Sequence, residues 1–229
     1  MTGTNITIIM KTNQPLLVTF CLLLAGFISN SLSAQDIQSD VSGFYGDINV
    51  HYGQWDTDSP FLEGIREHDP NGWGLQLSGG YGFNQKMEAF LQISYSDYNL
   101  SGDWSTLSHT GFGAGFRYNF GATLSKVRPF LDVQISTSAI EIDRIYYEHA
   151  ASGVRVEGKL EMEGLTYIGG GGLRYFFKPW IAGKVHARFL YGPDYNMTFD
   201  GLELSFPDDQ NVTQLDLSVG ITWYFGKRY

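Results

Sequence analysis

The strongest constraint on the fold is an unbroken alternation of two residue classes between positions 72 and 83. The apolar class comprises Trp73, Leu75, Leu77, Gly79, Tyr81 and Phe83, and the small or polar class comprises Gly74, Gln76, Ser78, Gly80 and Gly82. A period of two residues predicts a β-strand with two different faces, because successive side chains of a strand point to opposite sides. Helical spacing of 3.6 residues is not sustained anywhere beyond the first 34 residues.

Similar alternation predicts eight strands in all. They cover residues 42–53, 72–83, 87–98, 109–120, 127–140, 162–177, 180–191 and 213–225. The linkers alternate in length: short turns lie at 84–86, 121–126 and 178–179, and longer polar segments lie at 54–71, 99–108, 141–161 and 192–212. Transmembrane barrels sort their connections in this way, with short turns on one side and long loops on the other. We therefore predict an all-β, eight-stranded antiparallel up-and-down transmembrane β-barrel.

The non-apolar face of the predicted strands decides which side meets lipid. In a soluble barrel that face would meet water, and we would expect Lys, Glu and Thr there. Glycine and serine instead suit the crowded interior of a narrow barrel, so the apolar face is predicted to point outward into lipid. Phe90 and Phe130 lie on the opposite phase and are interpreted as side chains that fill the lumen. The competing fold is a lipocalin-like soluble barrel with an apolar cavity.

Four strand ends share a glycine followed by alternating aromatic residues. The four begin at Gly80, Gly115, Gly172 and Gly220. Tyr and Trp favour the membrane interface, where the ring is buried and the polar atom is wet, so this repeat predicts a periplasmic girdle. A second girdle on the outer side is predicted from Tyr52, Trp73, Tyr95, Tyr167 and Tyr191.

The last predicted strand, Leu215 to Phe225, carries aromatic residues at alternating positions near its end. With this strand and the pattern of the whole mature chain, the sequence resembles the small outer-membrane β-barrel superfamily of the OmpA, OmpX and opacity-protein type. The resemblance implies a protein of the bacterial outer membrane, surrounded by lipid and lipopolysaccharide. It also implies that the insertion machinery reads the terminal strand. Here the chain continues past Phe225 to Tyr229, which keeps the alternating phase.

Charged residues on the inward phase are candidates for a network across the lumen. They are Asp47, Glu88, Asp132 and Asp216 with Arg117, Arg174, Lys184 and Arg188. Four acids and four bases balance, and paired buried charges are tolerated where unpaired ones are costly. An eight-stranded barrel leaves room only for side chains. The favoured interpretation is a structural plug, and the alternative is a narrow path for small solutes.

The resemblance also brings in an enzymatic alternative, because some barrels of this size modify lipid A with a histidine and a serine. His51 and His186 fall on the inward phase among charges, and Ser108 and His109 are adjacent and therefore point to opposite faces. The run Gly169 to Gly172 lacks the Gly-Lys-Ser/Thr sequence and the helix of a phosphate loop, and is interpreted as a place where a large side chain crosses the lumen or the barrel curves tightly. We expect no catalytic site, cofactor or metal, with lipid-modifying catalysis as the third alternative.

The long connections carry the remaining functional candidates. Acidic residues are concentrated in the first and fourth of them, namely Asp56, Asp58, Glu63, Glu67 and Asp69, and Asp194, Asp200, Glu203, Asp208 and Asp209. These could bind calcium or magnesium together with lipopolysaccharide, but no twelve-residue calcium loop is present and solvation is favoured. In the third, Ile140, Ile142, Ile145, Tyr146 and Tyr147 predict that strands 5 and 6 continue above the membrane as a hairpin. The protruding sheet edge with its aromatic residues is the candidate contact surface for a partner or host molecule. We expect a monomeric or weakly associated barrel with a structural or adhesive role and a surface ligand at its outer loops.

The N-terminus predicts export. Leu16 to Ile28 is almost wholly apolar, follows Lys11, and precedes small residues up to Gln35. This stretch is too short for a spanning helix, so residues 1–34 are assigned as a signal peptide, with Met10 as an alternative start, and residues 35–229 as the barrel domain. The single cysteine, Cys21, lies in the signal peptide. A formal net charge of -9 without a basic stripe argues against nucleic-acid binding.

Overall fold

The computed structural model describes residues 38–57, 65, 70–100, 105–149, 154–193, 195–204 and 211–225. The described chain forms ten β-strands joined by turns. They are β1 (Gly43–Thr57), β2 (Asn71–Gly82), β3 (Met87–Asn99), β4 (Leu107–Asn119), β5 (Val127–His149), β6 (Val154–Lys178), β7 (Ile181–Gly192), β8 (Tyr195–Phe199), β9 (Leu202–Leu204) and β10 (Val212–Phe225). All strand pairs are antiparallel.

Eight of these strands close into a ring in the order β1, β2, β3, β4, β5, β6, β7, β10 and back to β1. Directly opposed residues can be followed once around the ring. The path runs through Tyr45, Gly80, Phe90, Gly115, Gln134, Ile168, Leu190, Gln214 and Trp55, which is ten residues beyond its start on β1. With a rise of about 3.3 Å per residue and a strand spacing of about 4.8 Å, this stagger tilts the strands by about 40°. The predicted eight-stranded barrel is confirmed.

The predicted inside-out phase is also confirmed. On β2 the residues Trp73, Leu75 and Leu77 are exposed on the outer surface, whereas Gln76 is buried inside the ring. The five aromatic residues of the outer girdle are all among the exposed large hydrophobic side chains. Within the described strands, no charged side chain points outward between the two girdles. An outer surface of this kind suits hydrocarbon and not water, which excludes the lipocalin-like alternative.

Strands β5 and β6 are much longer than the others and continue together to the pair His149 and Val154. This confirms the predicted extension of strands 5 and 6 above the membrane. Ile140, Ile142 and Ile145 are buried, because the inward phase of the barrel continues into the extension and its inner face packs over the outer end of the lumen.

The segment 192–212 was predicted as a loop, and this prediction was wrong in part. Strand β8 pairs with β6 from Gly164 to Leu160, and β9 pairs with β8. The turn between them consists of Asp200 and Gly201, which both have positive φ values, of 48° and 78°. An Asp-Gly pair between apolar residues is a strong hairpin signal because such turns need two left-handed residues. The Asp-Gly pair at positions 200 and 201 therefore already indicated the hairpin of β8 and β9.

Residues 38–42 lie across the periplasmic mouth and bond to all three short turns. The amide groups of Gln38 and Asp40 donate to the carbonyl oxygens of Thr123 and Pro179, at 2.9 and 3.0 Å. The side chain of Gln85 donates to Asp40 Oδ1 at 2.5 Å. One short segment thus ties the three turns together below the lumen.

Several predictions concern residues outside the described part of the chain. They are the signal peptide at 1–34, the acidic residues Asp58, Glu63, Glu67, Asp69, Asp194, Asp208 and Asp209, and the terminal Tyr229. Within the described residues, no helix has both the length and the apolar character needed to span a bilayer.

The lipid-facing assignment predicts a stability effect that depends on depth. Val133 is 63 % exposed and points outward at mid-height of β5, whereas Ala139 points outward on the same strand above the outer girdle. Val133→Arg should lower the free energy of unfolding by about 2–4 kcal/mol, and Ala139→Arg by no more than about 1 kcal/mol, because only the first places a cation in hydrocarbon. Urea titration in lipid vesicles, followed by tryptophan fluorescence, measures both. Equal losses of unfolding free energy in the two variants would contradict the predicted position of the membrane boundary between these residues.

Candidate functional site: the barrel interior

The inward phase of the strands brings all eight candidate network residues into the lumen. Each of them is at most 7 % exposed. The structure sorts them into ion-paired groups at different heights, and every one of the eight has an oppositely charged partner.

Glu88 lies at the centre of the lowest group. Its carboxylate accepts two parallel hydrogen bonds from Arg174, at 2.7 and 3.1 Å. Tyr224 donates a third at 2.9 Å, and Arg117 lies 3.4 Å from Oε2. The same Arg174 donates to the Asn119 side chain at 3.1 Å. A bidentate pair of this kind fixes both partners in one geometry.

Arg117 connects this group to a second carboxylate, Asp132. Its Nε and Nη2 atoms both lie 2.9 Å from Asp132 Oδ2, and His186 Nε2 lies 3.1 Å from Oδ1. Lys184 forms a separate pair with Asp47 at 2.5 Å. Arg117 thus links the neighbouring strands β3, β4 and β5, whereas the pairs of Arg174 with Glu88 and of Lys184 with Asp47 join strands that are not neighbours in the ring.

The outer half of the lumen holds a smaller polar group. Arg188 donates to Asp216 at 2.5 Å, and Gln214 donates to the other carboxylate oxygen at 2.7 Å. His51 Nε2 lies 2.7 Å from Ser96 Oγ. His51 Nδ1 has no hydrogen-bond partner among the described residues. The histidine and serine are therefore paired without an orienting acid, and both are buried.

Phe90 and Phe130, the aromatic residues predicted on the inward phase, pack against the arginines of the lumen. The Arg117 guanidinium lies 4.8 Å from the centroid of each ring, and Arg174 lies 5.2 Å from Phe130. A cation over an aromatic face is attracted by the ring quadrupole, and more strongly when water is excluded. The prediction that these phenylalanines fill the lumen is confirmed.

Glycines in the lumen leave the space that these rings occupy. A Cβ atom on Gly115 would lie 2.6 Å from the Phe90 ring, and one on Gly172 would lie 2.8 Å from the Phe130 ring. One on Gly170 would lie 2.6 Å from His186. The glycine run 169–172 is therefore a place where large side chains cross the lumen, as one of the two sequence interpretations held.

Apolar clusters lie at both ends of the polar lumen. The outer cluster combines residues of seven strands with Ile65 from the first long connection. Its members are Trp55, Ile65, Tyr98, Leu107, Ile140, Ile142, Ile145, Leu160, Met162, Tyr195, Met197 and Val212. The periplasmic cluster consists of Val41, Tyr45, Phe90, Phe176, Ala182 and Tyr224. The outer cluster lies beyond the charged groups, and the periplasmic cluster contacts the lowest of them through Phe90 and Tyr224.

Between the ion pairs, one wall of the lumen carries uncharged polar groups without protein partners. They belong to Asn49, Gln76, Ser78 and Thr222. Asn49 is directly opposite Gln76, and Asp47 is directly opposite both Ser78 and Thr222. Buried amide and hydroxyl groups of this kind are commonly satisfied by internal water. This wall is the most polar part of the lumen that the ion pairs do not use.

An apolar pocket of about 1250 Å³ is lined by residues of strands β1 to β7. Its lining includes outward side chains such as Leu91 and Tyr167 and inward ones such as Phe90 and Ile168. In the described part of the chain, no three His, Cys, Asp or Glu side chains are placed to hold a metal ion.

The network predicted from the sequence included the eight charged residues but lacked several of their uncharged partners. Tyr224 and Asn119 bond to the lowest group, and Gln214 bonds to the outer one. All three lie on the inward phase, so the alternation could have nominated them, but the pairing depends on which strands face each other across the ring. Arg128 was also missed; it is buried at the periplasmic end and donates to the carbonyl oxygen of Phe120 at 3.2 Å.

A closed eight-stranded ring with an apolar exterior, two aromatic girdles and a charge-neutral interior defines a transmembrane β-barrel. The family model described as "Outer membrane protein beta-barrel domain" matches residues 20–225. The chain belongs to this family and is a protein of the bacterial outer membrane.

Solved structures of small outer-membrane barrels resemble this one. Neisserial surface protein A (NspA) is 17 % identical, with a TM-score of 0.57, over 80 % of this chain and 98 % of that one. The outer membrane protein OprG from Pseudomonas aeruginosa is 12 % identical, with a TM-score of 0.51, over 84 % of this chain and 100 % of that one. At these identities the likeness concerns the fold alone. Among the curated proteins compared, none matches the sequence.

Replacing Glu88, at the centre of the charge network, by a neutral residue should strongly lower the free energy of unfolding. Glu88→Gln removes the charge that neutralises Arg174 and is shared with Arg117. Because a buried charge is then left unpaired, the free energy of unfolding should fall by about 3–5 kcal/mol. The matched control is Glu163→Gln, an exposed carboxylate on the outer face of β6, which should change it by less than about 0.5 kcal/mol. Urea titration in vesicles measures both, and similar small effects would show that Glu88 is not essential to the network.

Proposed function

We propose that this protein is a closed structural barrel whose function is exerted by its outer, extramembrane part, as a surface-binding or adhesive protein. The observation that carries the proposal is the enclosure of a fully ion-paired lumen between two apolar clusters. A lumen filled in this way stabilises the barrel and leaves no continuous polar path. In this proposal the eight charged residues act as a structural plug.

The described residues above the membrane include a sheet of four strands. Strands β5, β6, β8 and β9 lie side by side there. On the outer face Lys159 bridges Glu141 and Glu161, at 2.6 and 2.7 Å, and these hydrogen bonds raise the pKa of Lys159 above its ordinary value. Glu141, Glu161 and Glu163 leave this face net acidic. A firm, polar and acidic sheet is suited to bind a partner outside the cell.

A narrow path for small solutes is the second candidate function. The unpartnered polar wall formed by Asn49, Gln76, Ser78 and Thr222 favours it, since such groups can carry a file of water. This path would require the apolar clusters at both ends to open. We rank it below the closed barrel for that reason.

Lipid-modifying catalysis is the third candidate and has the least support. The pair of His51 and Ser96 is the nearest approach to a nucleophile with its base. Both side chains are inside the ring, and a lipid acyl chain meets only the outer face. We propose no enzymatic role.

The proposed surroundings of the barrel follow from its outer surface and last strand. Lipid and lipopolysaccharide contact the apolar outer face, and the insertion machinery reads β10, which closes the ring against β1 with Phe225 opposite Phe44. The ring is complete within one chain, which supports a monomer.

The closed lumen predicts the absence of ion conductance. Purified wild-type protein in a planar bilayer with 1 M KCl should give no conductance steps, whereas a 16-stranded porin in the same bilayer gives large ones. Steady steps whose ion selectivity changes in Lys184→Gln would refute the plug and establish the solute path, because Lys184 lies beside the unpartnered wall.

Surface binding is tested by trimming the outer sheet. Residues 143–159 are replaced by Asn-Gly, which connects the directly opposed Ile142 and Leu160 through a two-residue turn. Attachment of cells that display this variant to cultured epithelial cells or to polystyrene should fall to the level of cells without the protein. The control exchanges two lumen charges, as Asp47→Lys with Lys184→Asp, and should leave attachment unchanged. Attachment that persists in the trimmed variant and is lost in the charge-exchange variant would contradict the proposal. Both variants must first show heat-dependent migration in a denaturing gel, which establishes that their barrels are folded.

A further inference from the structure

Two histidines lie in the outer half of the lumen, around the pair of Arg188 and Asp216. His51 on β1 and His109 on β4 are both buried, with 1 % and 5 % of their surface exposed. Both interact electrostatically with Arg188 and with Asp216, and they also interact with each other. Side chains from four strands, β1, β4, β7 and β10, therefore meet at this level of the barrel.

Within the described part of this level Asp216 is the one carboxylate, and both of its oxygens are already occupied. Arg188 donates to Oδ2 at 2.5 Å, and Gln214 donates to Oδ1 at 2.7 Å. The other strands contribute uncharged groups here, which include the hydroxyl groups of Tyr98 on β3 and Tyr195 on β8. A histidine that gained a proton at this level would therefore be a buried cation without a counter-ion, which is costly.

The outer lumen also holds buried polar atoms that bond to nothing in the described part of the chain. They are His51 Nδ1, Trp55 Nε1, Tyr98 Oη, His109 Nε2, Arg188 Nε and Nη1, and Gln214 Oε1. Each buried polar group without a partner costs free energy that contact with water would recover. Trp55 and Tyr98 are also members of the outer cluster, so the cluster that seals the lumen closes at this cost.

The lower half of the lumen is better satisfied. Glu88 is bonded by two arginines and a tyrosine. His186 has a carboxylate oxygen of Asp132 at 3.1 Å from its Nε2 atom. A proton gained by His186 would meet a carboxylate, whereas one gained by His51 or His109 would meet only the occupied oxygens of the outer pair. The outer end is therefore the end that acid should open.

We propose that the outer seal of the barrel is a proton-operated gate, which is closed while His51 and His109 are neutral and opens to the outer solvent when both are protonated. Histidine takes up a proton between pH 8 and 5 when water reaches it. Because the open state solvates the charged rings and the closed state does not, protons bind more tightly to the open state and shift the population toward it. The closed seal is therefore stable near neutral pH, and this stability is lost as the pH falls.

Opening of the seal exposes a polar vestibule and not a path through the barrel. Asn49 lies two residues below His51 on the inward face of β1 and belongs to the unpartnered polar wall. Deeper in the lumen, the lower ion pairs and the periplasmic cluster stay in place. The gate thus admits water and small polar solutes to the outer half alone, and it operates independently of what the outer sheet binds.

The test follows the reaction of one buried cysteine with 4,4′-dithiodipyridine, a small neutral disulfide that reacts with thiols at acid as well as at neutral pH. Cys21, the one cysteine of the chain, is replaced by serine. Ser138→Cys then places a thiol on the inward face of β5, two residues below Ile140 of the outer cluster. Ala139→Cys, on the exposed face, gives the pH dependence of the reagent itself and normalises the rate. In detergent micelles the normalised rate should rise about 100-fold per pH unit below about pH 6, because two histidines must be charged in the open state.

Histidine variants show whether these two side chains operate the gate. His51→Gln or His109→Gln alone should reduce the rise to about tenfold per pH unit, because one protonation remains, and the double variant should abolish it. His149→Gln, at the far end of β5, should leave the rise at its wild-type value. Ala182→Cys places a thiol in the periplasmic cluster and should stay unreactive over the same pH range.

Three results would overturn the proposal. A rate at Ser138→Cys that does not rise on acidification would show that the closed seal accommodates the charged histidines. A rise that persists in the double histidine variant would assign the opening to other groups. Equal acceleration at Ala182→Cys, or loss of the far-ultraviolet circular dichroism of the strands, would show that acid unfolds the whole barrel and does not open one end.

Discussion

Every backbone N–H and C=O group of a chain that crosses hydrocarbon must find its partner within the protein, and most features of this structure depend on that requirement. Strands meet it only when the sheet closes on itself. Here β10 returns to β1 along fourteen opposed pairs, from Phe44 with Phe225 to Thr57 with Val212. Closure with eight strands and a stagger of ten residues sets a narrow bore. The bore in turn determines which side chains fit inside.

The same residues fill the interior of the barrel and neutralise its buried charges. Arg117 and Arg174 lie across the lumen between aromatic rings, and the glycines opposite those rings leave the space for them. Each arginine also neutralises carboxylates on other strands. Because a buried charge is tolerated only when paired, the network is coupled to correct closure of the ring. The plug and the barrel are therefore mutually dependent.

Under the proposed function, the binding surface is separate in space from the charged groups of the lumen. Above the membrane, strands β5 and β6 continue as part of a polar sheet. The inner face of the extension contributes Ile140 and Ile142 to the seal over the lumen. One pair of long strands thus closes the barrel on its inner side and presents charge on its outer side.

Some predictions succeeded because they depended only on alternation. Period two assigned each side chain of β2 to the lumen or to lipid, and an error of one residue would have reversed every one of them. The isoleucines of the third connection correctly indicated that strands 5 and 6 extend above the membrane, but alternation does not reveal what covers the inner face of that extension. Met162 on β6 and Met197 on β8 cover that inner face, and β8 was hidden in a segment interpreted as a loop.

By itself the sequence determined the eight strands of the ring, the lipid-facing phase, the girdles and eight of the lumen charges, because each is a property of local periodicity and composition. The tertiary structure alone decided which charges pair, that apolar clusters cover both ends, and that His51 and His109 lie around the pair of Arg188 and Asp216. These depend on the register between strands and on the ten-residue stagger of the closed ring. Register is fixed by contacts between residues far apart in the chain, which no single segment specifies.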